Sequence, residues 1–213
     1  MENAFNSMNS VEEILEALPA EETQHMLRVS KLVEHFTEKL QFCGLKKKEY
    51  GGRNYFGNAA FYHDIGKAWI PLEILTKPTR LTPQEMLIIR NHPVFAQKLF
   101  GQIRLGHISG MPGYLIQLAA DSATYHHEWW DGSGYPYGIK HAEIPLIARI
   151  TSICDAYDAM TSNRIYRKSH SHDDGCQELK RCAGKQFDPE LVRAFLTDVG
   201  TAFPFSDVSL FPV

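Results

Sequence analysis

Apolar residues recur every three or four positions along most of the chain, which is the spacing of amphipathic helices. Between residues 21 and 40 the apolar positions are Met26, Val29, Val33, Phe36 and Leu40. This period predicts a single helix over that stretch. No segment alternates strictly between apolar and polar residues, as a half-buried strand would. We therefore predict an all-α protein of seven or more helices.

Proline, glycine and capping residues divide the rest of the chain into further helices. A second helix is predicted over residues 54–65, ending near Gly66. Thr82, Pro83 and Glu85 indicate a helix start with a capping box, and Pro93 interrupts that helix or begins the next. Later starts are predicted at Pro112, for a helix reaching about His127, at Pro145, for one reaching about Met160, at Ser171 and at Asp188.

The length of 213 residues fits one domain with short appendages. The pattern divides the chain into a lead-in over residues 1–20, a helical domain over residues 21–200 and a tail over residues 201–213. No sensory module is expected before the helical domain.

Charge and hydropathy exclude several classes of function. The formal net charge of −3 lacks the basic footprint that a duplex nucleic acid requires. No apolar run approaches the roughly 18 residues of a membrane span, and the first residues carry no apolar leader. The four cysteines have no disulfide or CxxC spacing, so free thiols in a reducing cytoplasm are expected.

Histidine is the residue type that points to chemistry. Metal-ligating side chains occur once or twice on most predicted helices, at His25, His63, Asp64, His92, His126, His127 and Asp155. Imidazole together with carboxylate suits borderline divalent metals such as iron, manganese and zinc. Adjacent helical residues point about 100° apart, so each neighbouring pair could address two metals.

Two further carboxylates accompany this set. Glu21 lies four residues before His25 on the same helical face and is favoured over Glu22 as an additional ligand. Asp158 shares a helix with Asp155 and is expected to support a ligand or to cap the helix. An isolated His-Asp or His-His pair is a weak signal, so the wording of the longer motifs decides the interpretation.

Several long motifs match one known family. Residues 63–67 read HDIGK, residues 91–93 read NHP, and residues 126–138 read HHEWWDGSGYPYG. Residues 155–162 read DAYDAMTS, and residues 187–192 read FDPELV. Together these motifs resemble the HD-GYP family of the HD superfamily of metal-dependent phosphohydrolases. The resemblance covers about residues 21 to 197.

The resemblance implies an HD-domain helical bundle with a bi- or trinuclear metal centre. It implies that the ligands are His63, Asp64, His92, His126, His127 and Asp155, and that Glu21 and His25 hold a third metal. Two or three divalent ions are expected, with iron or manganese favoured.

The resemblance also implies a reaction and a substrate. The expected activity is hydrolysis of cyclic di-GMP to the linear dinucleotide pGpG, and onward to GMP, by a metal-activated hydroxide. Asp64 and Lys67 would be catalytic. Contacts to the substrate are expected from Lys67, Tyr135, Arg164, Arg167 and Lys168.

Three alternatives remain open from the residues alone. The substrate could be another cyclic dinucleotide, such as cyclic GMP-AMP, or another nucleotide. The chain could instead be a non-catalytic sensor of the dinucleotide or a module that docks a protein partner through the GYP loop, residues 132–138. A di-iron oxygenase is the third, and the phosphate-side cations and the GYP loop argue against it.

Overall fold

The computed structural model describes residues 8–42, 55–162 and 170–202. The α-helices of these residues are α1 (Val11–Glu16), α2 (Ala20–Phe42), α3 (Phe56–Ala60), α4 (Leu72–Leu75), α5 (Pro83–Ile89), α6 (His92–Arg104), α7 (Gly113–Tyr125), α8 (Leu146–Thr161), α9 (His172–Cys182) and α10 (Pro189–Ala202). Two short 3-10 helices cover Ile65–Trp69 and His141–Glu143. No strand occurs within these ranges, so the prediction of an all-α fold is confirmed.

Helix α2 lies at the centre of the bundle because its apolar stripe faces inward. All five apolar positions predicted from the period are buried, and Met26, Val29 and Val33 have no exposed surface. The helix packs against α3, α8 and α10, and the rings of Phe36 and Phe195 meet edge to face at 5.1 Å. A stripe of this kind stabilises the fold through apolar burial.

The other helices complete the core around α2. Helix α6 packs on α7 and on the 3-10 helix Ile65–Trp69, while α7 also contacts α3 and α8. The segment predicted as a lead-in contributes α1, whose Val11 and Ile14 belong to the same core. The residues predicted as the tail lie outside the described residues after Ala202.

The predicted helix starts agree with the structure at most positions. Thr82 and Ser171 each form a capping box, and Pro93 lies in the first turn of α6. Helix α7 ends at Tyr125, slightly before the predicted end, and His126 is its C-cap. Capping side chains satisfy amide groups that have no partner within the helix, which is why these signals locate the ends well.

The prediction of one helix over residues 54–65 is wrong in its second half. Helix α3 ends at Ala60, and His63 and Asp64 lie in the turn before the 3-10 helix. The Ala60 carbonyl accepts hydrogen bonds from both the backbone amide and the Nδ1 of His63, at 3.0 and 2.9 Å. In a continuing α-helix the Ala60 carbonyl would accept the Asp64 amide, and in this structure His63 occupies that carbonyl instead.

None of the helices within the described ranges has the length and hydropathy needed to cross a bilayer. This agrees with the absence of a long apolar run in the sequence.

Candidate metal centre

Five separate elements bring metal-ligating side chains to one point in the bundle. These side chains are His25 on α2, His63 and Asp64 in the turn after α3, His92 in the first turn of α6, His126 and His127 at the end of α7, and Asp155 on α8. All except Asp155 and His127 are buried as whole residues. The residues come from positions as far apart as 25 and 155, so only the folded chain creates the cluster.

Their ligand atoms form three overlapping groups, each compact enough for one ion. The groups are Asp64 with His92, His126 and His127, His25 with His63 and Asp64, and His63 with His126 and Asp155. Within each group the ligand atoms lie within 4.8 Å of one another. Because the groups share members, they form one continuous cluster rather than a set of separate sites.

Asp64 belongs to two of the three groups and presents a different oxygen to the histidines of each. Its Oδ1 lies 3.2 Å from His92 Nε2 and 3.8 Å from His126 Nε2. Its Oδ2 lies 3.2 Å from His63 Nε2. A carboxylate in this position can bridge two metal ions, one on each oxygen.

Backbone carbonyls determine which nitrogen of three histidines faces the centre. The Nδ1 atoms of His63, His92 and His126 lie 2.9, 2.8 and 3.0 Å from the carbonyls of Ala60, Ile89 and Ser122. A carbonyl can only accept a hydrogen bond, so each Nδ1 carries the proton. Each Nε2 therefore keeps its lone pair for a metal, the orientation that outer-shell partners give to metal-ligating histidines.

His25 is oriented by a carboxylate instead. Its Nδ1 lies 2.7 Å from Asp158 Oδ2, and its Nε2 lies 3.0 Å from Asp155 Oδ1. Burial lowers the pKa of His25, but Asp155 and Asp158 outweigh it and raise the pKa to about 9. Asp158 also pairs with Arg28. The supporting role expected for Asp158 is therefore what the structure has, with Nε2 of His25 turned toward the cluster.

Burial and neighbouring charges keep four of the other candidate ligands in the protonation states that metals bind. Burial lowers the pKa of His92 and His126, and it lowers the pKa of His127 to about 3. Burial acts to raise the pKa of Asp64, but Lys67, His63 and His92 hold it well below its usual range. At neutral pH these groups are therefore neutral imidazoles and a carboxylate, the ligand forms needed for metal binding.

Lys67 adds a cation beside the cluster, and its side chain is 15% exposed. Its Nζ lies 2.7 Å from Asp64 Oδ2 and 2.8 Å from Glu22 Oε2. Burial lowers the pKa of the ammonium, but Asp64 and Glu22 outweigh this and raise it above its ordinary value. An ammonium has three N–H donors, so one remains beyond these two carboxylates.

The GYP loop packs against the cluster through Tyr135. The Tyr135 ring stacks on the His127 ring, with centroids 4.7 Å apart and an interplanar angle of 20°. Glu128, which is 2% exposed, anchors the loop because its two oxygens accept the backbone amides of Tyr137 at 2.6 Å and Gly138 at 2.9 Å. The Tyr135 amide donates in turn to the His127 carbonyl at 3.1 Å.

The donor set fits a metal centre, as two buried atoms indicate. His63 Nε2 and Asp64 Oδ1 are buried and make no hydrogen bond. Leaving buried polar atoms unpaired costs free energy, and a directly coordinated ion would satisfy both. The mixture of imidazole nitrogen and carboxylate oxygen suits borderline divalent metals.

A comparison with protein families agrees with this geometry. The family described as "HD domain" matches residues 9–191, most of the chain. The chain belongs to the HD domain family. The matched range contains every side chain of the metal cluster.

Curated proteins similar to this HD domain carry names of one reaction class. A protein of Vibrio cholerae named a probable cyclic di-GMP phosphodiesterase is 39% identical over 168 residues, or 75% of this chain and 37% of that protein. A second V. cholerae protein, named a 3'3'-cGAMP-specific phosphodiesterase, is 33% identical over 92% of this chain and 34% of its own length. The HD domain thus spans about a third of the length of these relatives.

A solved structure supports the fold. An HDG"Y"P protein of Bdellovibrio bacteriovorus matches 84% of this chain and 52% of its own, with a TM-score of 0.60 and 17% sequence identity. The resemblance to the HD-GYP family drawn from the motifs is confirmed by these comparisons together.

The HD domain brings most, but not all, of the predicted site residues together. Lys67 and Tyr135 lie beside the histidines and carboxylates described above. Glu21 is exposed and belongs to none of the three groups, whereas its neighbour Glu22 turns inward to Lys67. The predicted phosphate contacts Arg164, Arg167 and Lys168 lie outside the described residues.

Two contributions were not assigned from the sequence. Glu22 forms an ion pair with Lys67. The sequence contains a signal for this inward position, because residue 22 precedes His25 by three positions and so lies on the same helical face. The sequence predicts no separate role for Glu128, which appears there only within the motif of residues 126–138. Its role as the anchor of the loop depends on backbone amides nine and ten residues later, which no local pattern reveals.

Replacing Glu128 by glutamine is expected to destabilise the HD domain by about 1–3 kcal/mol. Glutamine keeps the shape of the side chain, but its amide group is a donor facing the backbone donors of the loop. One partly buried backbone amide therefore loses its acceptor. Urea unfolding would measure the change. Glu16→Gln is a suitable control because Glu16 is an exposed glutamate on α1; an equal effect in both variants would contradict the anchoring role.

Proposed function

We propose that this HD domain is a metal-dependent phosphodiesterase that hydrolyses a cyclic dinucleotide, with cyclic di-GMP as the favoured substrate. The expected product is pGpG, with GMP formed by a second cleavage. The observation that carries the proposal is the convergence of imidazole nitrogens and carboxylate oxygens in three overlapping groups, two of which contain Asp64. The names of the curated relatives support the substrate class.

The cluster favours two or three divalent ions, with iron or manganese preferred for its mixture of nitrogen and oxygen donors. The proposed ligands are His63, Asp64, His92, His126, His127 and Asp155, with His25 for a third ion and Glu21 only if its exposed side chain turns inward. When bound, such ions would neutralise phosphate charge and would supply a hydroxide at neutral pH.

The chain itself positions the substrate. Lys67 can direct its remaining N–H to a phosphate oxygen, because Asp64 and Glu22 hold the ammonium beside the cluster. A charge-assisted hydrogen bond of this kind stabilises the extra negative charge that develops as the phosphodiester bond breaks. Tyr135 lies against His127 beside the cluster, which supports its proposed contact with the substrate.

Catalysis is favoured over the sensor alternative by a particular feature of the site. A binding module needs no bridging carboxylate, yet Asp64 is buried between two sets of histidines with one oxygen unpaired. Cyclic GMP-AMP remains the second candidate substrate, favoured by the relatives named for it. A protein partner at the GYP loop stays a prediction.

A single set of measurements tests the function. Protein purified without oxygen should contain more than one equivalent of divalent metal, and chromatography should detect pGpG after incubation with cyclic di-GMP. Cyclic GMP-AMP and cyclic di-AMP should be tested in parallel. A single equivalent of metal would contradict the multinuclear centre, and binding without turnover by metal-replete protein would favour a sensor.

Lys67→Ala is expected to lower kcat/KM about 10- to 150-fold while leaving the metal content unchanged, because the ammonium is proposed to contact the phosphate rather than a metal. Product chromatography and metal analysis on the same sample measure both. Lys98→Ala is the matched control, since Lys98 is an exposed lysine on α6. Normal kinetics for Lys67→Ala would leave Lys67 with only a structural ion pair.

A further inference from the structure

Arg90 is a cation at the edge of the centre that no motif assigned. It lies between α5 and α6, two residues before His92, and its side chain is exposed. Its guanidinium carbon lies 5.0 Å from the centroid of the Tyr135 ring. That distance is within the range of a cation–π contact, which holds the guanidinium near one place without using its N–H groups.

Tyr135 links Arg90 to the metal centre. Its ring stacks on His127, and the His127 ring lies 4.0 Å from that of His126. The guanidinium is therefore separated from the ligand histidines by one aromatic ring. The backbone also keeps Arg90 close to the cluster, because the short connection that contains Arg90 leads directly into His92 at the start of α6.

The N–H donors of Arg90 are free for a ligand. Within the described residues the side chain of Arg90 forms no hydrogen bond and no ion pair, and only its backbone amide is bonded, to the Met86 carbonyl. Lys67 differs, since Asp64 and Glu22 already occupy two of its three donors. A guanidinium presents five donors in a planar fork that matches two phosphate oxygens at once.

A cyclic dinucleotide carries two phosphodiesters on opposite sides of one ring. When one of them is at the metal centre, the other must lie to one side of it and keeps its full negative charge. A cation one aromatic ring away from the ligand histidines, with unused donors and open to solvent, is suited to that second group.

We propose that Arg90, held against Tyr135, binds the phosphodiester that is not being cleaved. The assignment rests on the proposed function, because it requires a substrate with two phosphates. It makes Arg90 a determinant of specificity for cyclic dinucleotides over diesters with one phosphate, and it gives Tyr135 the role of support for the guanidinium.

The test compares two substrates in metal-replete wild type, Arg90→Ala and Arg90→Lys. One substrate is cyclic di-GMP, and the other is bis(p-nitrophenyl) phosphate, which has a single phosphodiester. The ratio of kcat/KM for cyclic di-GMP to kcat/KM for the small diester should fall about 10- to 150-fold in Arg90→Ala. Arg90→Lys should recover part of the loss, since it keeps the charge without the planar fork.

Arg104→Ala is the matched control. Arg104 is an exposed arginine on α6, twelve residues after His92 and thus about 18 Å along the helix, where it donates to Gln117. In Arg104→Ala the ratio of kcat/KM for cyclic di-GMP to kcat/KM for the small diester should equal that of wild type. A normal ratio in Arg90→Ala, or an equal loss for both substrates, would overturn the role of Arg90 while leaving the phosphodiesterase in place. Absence of cyclic dinucleotide turnover by wild type would overturn the proposed function itself, and the role of Arg90 with it.

Discussion

Asp64→Ala should reduce the turnover of cyclic di-GMP by at least about 10³-fold, which corresponds to about 4 kcal/mol of activation free energy. Its two oxygens face different histidines, at 3.2 Å from His92 Nε2 and 3.2 Å from His63 Nε2. Alanine removes both at once, so the proposed metal centre would lose the carboxylate that joins its two sides. Product chromatography measures the loss, and metal analysis should find less metal.

The variant Asp64→Asn distinguishes the loss of the second carboxylate oxygen from the loss of side-chain volume. Asparagine fills the same space but offers only one oxygen, so we expect it to retain little activity and less than the full metal content. Asp121→Asn is the matched control, because Asp121 lies on the helix that leads to His126 and accepts a hydrogen bond from Gln117 instead. Activity in Asp64→Ala above one-tenth of wild type would be incompatible with a bridging role.

Gly66→Ala is expected to destabilise the protein by about 3 kcal/mol and to lower both metal content and turnover. A Cβ at this position would lie 2.0 Å from the His92 carbonyl oxygen and 2.8 Å from the Ala96 amide nitrogen. Both are backbone atoms of α6, so the helix itself would have to move. That movement would separate Asp64, on one side of the contact, from His92 on the other.

Helix α6 also contains the control for this prediction. A Cβ at Gly101 would meet nothing within 4 Å, so Gly101→Ala should stabilise the protein by about 0.5–1 kcal/mol through helix propensity. Urea unfolding of the two variants, with metal analysis at each, measures the contrast. Equal stability of Gly66→Ala and wild type would mean that the close approach of the two segments is unnecessary.

The predictions for Asp64 and Gly66 both depend on the contact between the turn after α3 and the start of α6. The turn that carries His63 and Asp64 must lie almost in contact with the start of α6, and only a residue without a side chain permits this at position 66. The distance between the Asp64 and His92 ligand atoms is therefore set by packing between two backbones. We expect Gly66 to act on the metal centre without touching a metal.

Much of the fold follows from local sequence. The apolar period of α2 identified five core positions, and all five are buried. The capping boxes at Thr82 and Ser171 located two helix starts. These predictions succeed because apolar periodicity and amide capping act within a few residues, over the range that a linear pattern records.

The candidate ligands also follow from the sequence, through residue type and the wording of the motifs. The sequence predicts five of these residues as ligands, and the structure brings them into overlapping groups: His63, Asp64, His92, His126 and Asp155. Their assignment as ligands stays a prediction until metal is measured. The helix over residues 54–65 failed because a side chain, His63, competes for the carbonyl that would continue it.

What the tertiary structure decided is which atoms meet. It turned Glu22 rather than Glu21 toward Lys67, used Glu128 to anchor the GYP loop, and placed Arg90 against Tyr135. The sequence alone determined an all-α HD domain and its set of metal-ligating residue types, because these depend on local periodicity and motif. The distances in the site join elements far apart in the chain, so they depend on how the helices pack, which no local pattern encodes.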